Sequence, residues 1–190
     1  MRELKYYVAC TVDNFIARVD GSFDFFLMEG PHYADLLANY PETFPAHAWE
    51  HFGIKGGNRV FDTVLMGRRT YEVGLNIGVT SPYTHLRQYV FSHTMEESPS
   101  PDVTLVSGDP LACVRRLKRD EGKDIWLCGG GTLATAVFPE IDELILKINP
   151  ILLGAGIPLF EGVIPKTDLT LTESKVYDNG FMLARYRTRR

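Results

Sequence analysis

Cys128-Gly129-Gly130-Gly131-Thr132 follows the apolar run Ile125-Trp126-Leu127 and precedes a helix-like segment, Leu133 to Phe138. Glycine has no Cβ, so a ligand or another backbone can come close to this turn. The first NH groups of a helix have no partner within it and carry the positive end of its dipole, which suits an anion such as phosphate. Taken alone, the run fits a tight turn better than a phosphate site. A second stretch, Asp62-Thr63-Val64-Leu65-Met66-Gly67-Arg68-Arg69-Thr70-Tyr71-Glu72, ends a strand at Gly67 and opens a helix with two guanidiniums and a hydroxyl. Arginine grips phosphate as a fork. Solvated charges pairing with Glu72 or Asp62 explain the two arginines equally well. Ser92-His93-Thr94 adds two hydroxyls and an imidazole after another strand. The 2′-phosphate that distinguishes NADP from NAD calls for a cluster of this kind.

These residues must be positioned by the elements around them. Leu4 to Val12 reads as a buried strand and Asp13 to Asp24 as a loop with the turn pair Asp20-Gly21. His32 to Tyr40 is a short helix ended by Pro41, and Pro45 to Phe52 a second one. Thr63 to Met66 is a strand and Arg69 to Gly74 a helical turn. Gln88 to Ser92 and Val103 to Val106 are short strands. Asp109-Pro110 caps and opens a helix running to about Glu121. Ile125 to Cys128 and Glu143 to Asn149 are strands. Leu169 to Val176 and Phe181 to Arg187 form a hairpin through Asp178-Asn179-Gly180. Strand and helix alternate in the middle of the chain. The expectation is one α/β domain over 1–190, three-layered, with a mostly parallel central sheet, helices on both faces and a C-terminal antiparallel hairpin. Ligands of such sheets bind beyond the carboxyl ends of the strands. The loops at Asp13 to Ala17, Gly67 to Thr70, Ser92 to Thr94 and Gly129 to Thr132 follow strands in this way.

Composition narrows the classes. The 190 residues suffice for one sizeable core, and 45% hydrophobic content argues against disorder. A net charge of −4 offers no basic field to nucleic acid or an anionic membrane. Arg185, Arg187, Arg189 and Arg190 are a local exception, read as a solvated strand edge. No apolar run reaches membrane-spanning length, and the N-terminus lacks a signal-peptide pattern. The expected location is the cytoplasm. Cys10, Cys113 and Cys128 show no metal spacing and read as buried reduced thiols, so no metal site is expected.

The order of these pieces resembles the dihydrofolate reductase-like superfamily, and most closely its riboflavin-biosynthesis reductase branch, in stand-alone form. Cys10-Thr11-Val12-Asp13-Asn14-Phe15-Ile16-Ala17 is similar to the first strand and loop of that family, S-L-D-G-x-I-A. Val64 to Glu72 resembles its M-G-R-x-T-[WY]-E, and Tyr89 to Thr94 its V-x-S-R-x turn. Ile125 to Gly131 matches the cofactor-phosphate turn. Asp142-Glu143-Leu144 through Pro150 to Phe160 resembles the strand and loop of the riboflavin branch. The resemblance implies NADPH as cofactor. Gly129, Gly130, Gly131 and Thr132 would hold its pyrophosphate. Gly67, Arg68, Arg69, Thr70, Ser92 and His93 would hold the adenosine phosphates, and Cys10, Ile16 and Ala17 would line the nicotinamide. Asp13, near the junction of cofactor and substrate, or an ordered water would route the proton. The resemblance also implies a homodimer.

The expected activity is hydride transfer from NADPH to a small heterocycle, a pyrimidine such as 5-amino-6-(5-phosphoribosylamino)uracil. Dihydrofolate reduction and a non-catalytic NADPH-binding module are the alternatives. The chain departs from the family at two points. Asn14 replaces the usual glycine, and Asn also tolerates the left-handed region. The family's basic substrate segment reads Gly56 to Phe61 here, with only Arg59. Glu29 and Asp35 are candidates for a carboxylate that binds the heterocycle, or are solvated charges. In Glu143 to Asn149, alternation puts Ile145, Lys147 and Asn149 on one face. Lys147 either touches substrate or reaches water at the sheet margin. Tyr33, Trp49, Phe25 and Phe26 either floor a flat pocket or belong to the core.

Overall fold

The computed structural model describes residues 1–189. β1 (Leu4–Thr11) is buried on both faces and mostly apolar, as a strand covered on both sides must be. Leu4, Tyr6 and Val8 enter one core, and Tyr7 enters the other. β1 pairs in parallel with β6 (Asp124–Gly129) and β7 (Ile141–Asn149). Beyond β6 the parallel sheet continues through β3 (Phe61–Gly67), β4 (Arg87–Phe91) and β5 (Val103–Val106). Beyond β7 lie β10 (Met182–Thr188) and β9 (Leu169–Val176), both antiparallel to their neighbours. The order is β5-β4-β3-β6-β1-β7-β10-β9.

Helices cover both faces. α4 (Pro110–Arg119) and α5 (Gly131–Ala136) pack on one side through Val114, Leu117 and Leu133. α1 (Pro31–Asn39) and α3 (Arg68–Leu75) pack on the other through Leu36 and Tyr71. α2 (Trp49–Phe52) is a single turn in the long connection to β3. That connection is tied to the sheet by Glu42, whose buried carboxylate accepts from the NH groups of Val60 and Phe61 at 2.6 and 2.7 Å. Among the described residues no helix is long and apolar enough to cross a membrane.

Local signals account for several boundaries. Asp109 caps α4 by accepting from Leu111 N at 2.9 Å, with Pro110 at the first helical position. The hairpin closes where Gly180, at φ 82°, donates to Tyr177 O at 2.8 Å. The sheet carries its charges in paired form. Lys5, 8% exposed, reaches Asp124 at 2.9 Å and Glu143 at 3.2 Å. Lys118, also buried, donates to Asp142 at 2.7 Å and so fixes α4 to β7. Removing a partner from such a pair leaves a buried charge uncompensated.

Two features differ from the expectation. The strand carrying Arg185 and Arg187 is not a sheet edge, because β10 lies inside the sheet and β9 is the margin, although Arg187 and Arg189 remain exposed. Arg185 donates to Glu143 and Glu173, both at 2.9 Å, and Arg187 to Glu3 at 2.7 Å. Arg190 lies outside the described residues. The loop after β1 contains β2 (Phe15–Ala17), which pairs with β8 (Ile157–Pro158) in a second small sheet. These strands are too short to show a period.

The segment after β8 packs onto the start of α5. Glu161 N donates to Gly131 O at 3.2 Å, and a Cβ built on Gly131 would stand 2.4 Å from Pro158 O. Gly131→Ala therefore destabilises the fold by about 1–3 kcal/mol, read as a lower midpoint in urea unfolding at unchanged m-value. Asp109→Ala removes one cap and lowers Tm by about 2–4 °C, measurable by calorimetry.

Candidate active site

A cleft of about 1040 Å³ opens at the carboxyl ends of the parallel strands. It receives residues from β1, β3, β4, β6 and β7, the position ligands take in open α/β sheets. Its volume lies at the top of the range of roughly 300–1,000 Å³ usual for one small ligand.

At one end the cleft is bare backbone and cationic side chains. The turn after β3 and the turn after β6 touch: a Cβ on Gly67 would stand 3.5 Å from Gly130 N. Gly129 has φ 139°, where side chains are strained, and the peptide joining it to Gly130 is cis. Thr70 Oγ1 faces both glycines, and Ile16 packs beside Gly130. The three glycines thus serve different ends. Gly129 supplies conformation, Gly130 lies beside Thr70 and Ile16, and Gly131 makes room for the Pro158 carbonyl.

Arg68, Arg69, Thr70, Ser92 and His93 line this same end. Arg68 lies 3.6 Å from Glu72, the surface pairing weighed from the sequence, while Asp62 serves Arg2 and Arg87 instead. Arg69 has no carboxylate partner among the described residues. Ser92 Oγ accepts from Thr94 N at 3.2 Å and Met95 N at 3.0 Å, so it shapes its own turn. Thr132 also lines the cleft, but its hydroxyl donates to Glu161 Oε2 at 2.6 Å. Ile16 and Ala17 line the cleft from β2.

Four of the polar candidates are not brought there. Asp13 holds the opposite loop: its carboxylate accepts from Thr11 Oγ1 at 2.6 Å, Gly154 N at 2.8 Å and Leu153 N at 3.1 Å. The Thr11 hydroxyl first, and then those NH groups, hold its pKa down to about 2, so it carries no proton at neutral pH. Asn14 beside it adopts φ 64°, the left-handed turn that the sequence allowed. Cys10 is fully buried in the core under the cleft, and Val8 and Ala9 line it from β1 instead. Glu29 is exposed before α1 and lines no part of the cleft. Asp35 is engaged by Lys175 and by Tyr177 at 2.6 Å.

The other end is aromatic. Tyr33, Phe44, Tyr83, Trp126 and Phe181 wall it, and Phe26 contributes. Trp49 packs away on His85, at 4.3 Å between ring centroids. His32 stacks on Phe181 at 4.0 Å, accepts from Asn179 at Nδ1 and faces Leu27 O through Nε2. Asn149 Oδ1 accepts from Leu27 N at 2.9 Å and so ties this wall to β7.

Lys147 points into this end, its ammonium 4.2 Å over the Tyr7 ring. Burial lowers its pKa to about 8. Burial pushes the neighbouring thiols up, Cys128 to about 12 and Cys10 to about 11, so neither is a thiolate at neutral pH. Tyr7, Tyr83, Cys128 and Asn149 were missed as site residues. Only the alternation of β7 pointed to Asn149, and nothing local marked the other three.

No group of His, Cys, Asp or Glu among the described residues is arranged to hold a metal. The cysteines are all free.

The fold recurs in proteins of known structure. A dihydrofolate reductase from Enterococcus faecalis, complexed with NADP(H) and RAB-propyl, superposes with a TM-score of 0.68 at 14% identity, covering 99% of this chain and 97% of that one. A diaminohydroxyphosphoribosylaminopyrimidine deaminase/5-amino-6-(5-phosphoribosylamino)uracil reductase from Thermotoga maritima superposes at 0.64 with 16% identity, over 99% of this chain and 57% of that one. In sequence, the uncharacterized YwjB protein of Bacillus subtilis is 31% identical over 188 residues, 96% of either chain. Residues 58–183, which carry both the Gly67-Arg68-Arg69 turn and the glycine turn, match the RibD C-terminal domain, and the chain belongs to that family.

Proposed function

We propose that this protein is an NADPH-dependent reductase of a small flat heterocycle. The observation that carries the reading is one continuous cleft with a cationic, glycine-lined end and an aromatic end holding a single lysine. The residues fit the cofactor. Arg69 lacks a carboxylate partner among the described residues, Gly129 and Gly130 line the cleft with no side chain of their own, and the Thr70 hydroxyl faces them. Arg68, Arg69, Ser92 and His93 would hold the adenosine phosphates, with Gly67, Thr70, Gly129, Gly130 and Gly131 at the pyrophosphate. Thr132 would contribute through its backbone, since Glu161 engages its hydroxyl. Ile16 and Ala17 would pack on the nicotinamide.

When bound, the reduced nicotinamide supplies the hydride to a C=N or C=O carbon. The chain orients the substrate ring between aromatic side chains and keeps water from it. The family match favours a pyrimidine of the riboflavin pathway as the substrate class. The dihydrofolate alternative has no support from Glu29 or Asp35, since neither lines the cleft. Asp13, ionised and engaged by the 153–154 loop, is replaced as proton route by groups inside the cleft.

NADPH titrated against folded protein gives saturable quenching of intrinsic fluorescence. Folded protein without saturable binding overturns the reading. The double variant Arg68→Ala with Arg69→Ala weakens NADPH at least ~10-fold and NADH less than ~2-fold, because only NADPH loses charge-assisted bonds to its 2′-phosphate. Equal losses for the two dinucleotides refute that role.

A further inference from the structure

The cofactor reading uses the Arg68–Arg69 end of the cleft and leaves Lys147 unaccounted for. Among the described residues, the Lys147 ammonium has no carboxylate partner and no hydrogen-bond acceptor; it rests on the face of Tyr7. A cation held there is costly unless a ligand accepts its hydrogen bonds. Its neighbourhood is built for a flat ring, with Tyr33, Tyr83, Trp126 and Phe181 as walls. The arginines of the cleft open α3, directly after β3. β3 is three strand spacings from β7, roughly 14 Å. No arginine among the described residues lines the aromatic end.

Resting on the NADPH reading above, we infer that Lys147 binds the substrate, by donating to a ring oxygen or nitrogen of a flat carbonyl or imine heterocycle that carries no phosphate. The ammonium lies where negative charge develops as hydride adds to the adjacent carbon. The C=O or C=N π pair moves onto the acceptor atom, and a Lys147 Nζ proton follows it. The neutral amine then takes a proton back from water. A phosphate dianion in this end would exchange its hydration for aromatic walls and a single ammonium. The absence of a basic segment in Gly56 to Phe61 agrees with that exclusion.

The groups around Lys147 are Tyr7 on β1, Cys128 on β6 and His32 on α1, with Cys10 of β1 in the core behind; β10 pairs Leu183 with it. Burial keeps both thiols protonated, and burial also lowers the His32 pKa below its ordinary value. Lys147 is therefore the group that changes charge near pH 8. A bound acceptor favours the ammonium, so affinity is full below pH 8 and falls above it.

Calorimetry on the full chain tests this in two steps: NADPH first, then a ring probe added to the NADP⁺-saturated protein. The phosphate-free probe is lumazine, and uridine 5′-monophosphate is the phosphorylated comparison. Lys147→Met should weaken lumazine at least ~10-fold and change NADPH less than ~2-fold, and Lys147→Arg should recover part of the loss. Wild-type affinity for lumazine should fall above pH 8 relative to Lys147→Met, a difference that cancels the probe's own ionisation. Uridine 5′-monophosphate should bind at least ~10-fold more weakly than lumazine. The inference is overturned if lumazine does not bind the saturated wild type or binds Lys147→Met as tightly. Uridine 5′-monophosphate matching lumazine overturns it too. Failure of the first step alone overturns the cofactor reading instead.

Discussion

The cleft depends on a contact between bare backbones, Gly67 at the end of β3 against Gly129–Gly130 at the end of β6. A Cβ on Gly67 would stand in van der Waals contact with Gly130 N, and Gly129 holds a φ of 139°. Larger side chains at these positions would fill the space between the turns, and any side chain at Gly129 would be strained by its φ. With the turns in contact, α3 and α5 begin side by side, and the Thr70 hydroxyl and both arginines gather at one spot. A chain of net charge −4 thereby gathers a local cationic, glycine-lined corner.

The remainder of the cleft follows from β1 and its two parallel neighbours. β1 is buried on both faces, so its residues can only pack or line the cleft mouth. Tyr7 and Ala9 reach the cleft, and Tyr6 and Cys10 support it from the core behind. β7 then presents Lys147 beside Tyr7, and Phe181, just before β10, closes the wall. The cleft is polarised as a result: the arginines and glycines follow β3 and β6, and the rings of Tyr7, Tyr33, Tyr83, Trp126 and Phe181 lie at the end that holds Lys147. Asp13 belongs to neither end. Its carboxylate is the clasp between the loop after β1 and the loop after β7. The two-stranded sheet of β2 and β8 extends that clasp.

Much of the fold was legible because the signals are local. Val103–Val106 is a short apolar strand bounded by turn residues. Asp109-Pro110 is a cap that works within one helical turn, and Asn179-Gly180 is a hairpin that works within four residues. β2 and β8 were not legible. They span three and two residues, and their pairing joins positions about 140 residues apart. The C-terminal arginines were misjudged for a related reason. Alternating arginines look alike on an edge strand and on an inner strand whose neighbours supply Glu143 and Glu173.

The same division runs through the site. Sequence alone determined the chemistry available: three glycines after a strand, two arginines opening a helix, a lysine inside an apolar strand. These are properties of residue type and short-range order. Tertiary structure decided what each one does. It gave Gly129 its conformation and Gly131 its packing role, and it spent Asp13 on a loop. It also set Lys147 over Tyr7 without a carboxylate. Those outcomes depend on which strands become neighbours, and neighbours in this sheet come from distant parts of the chain.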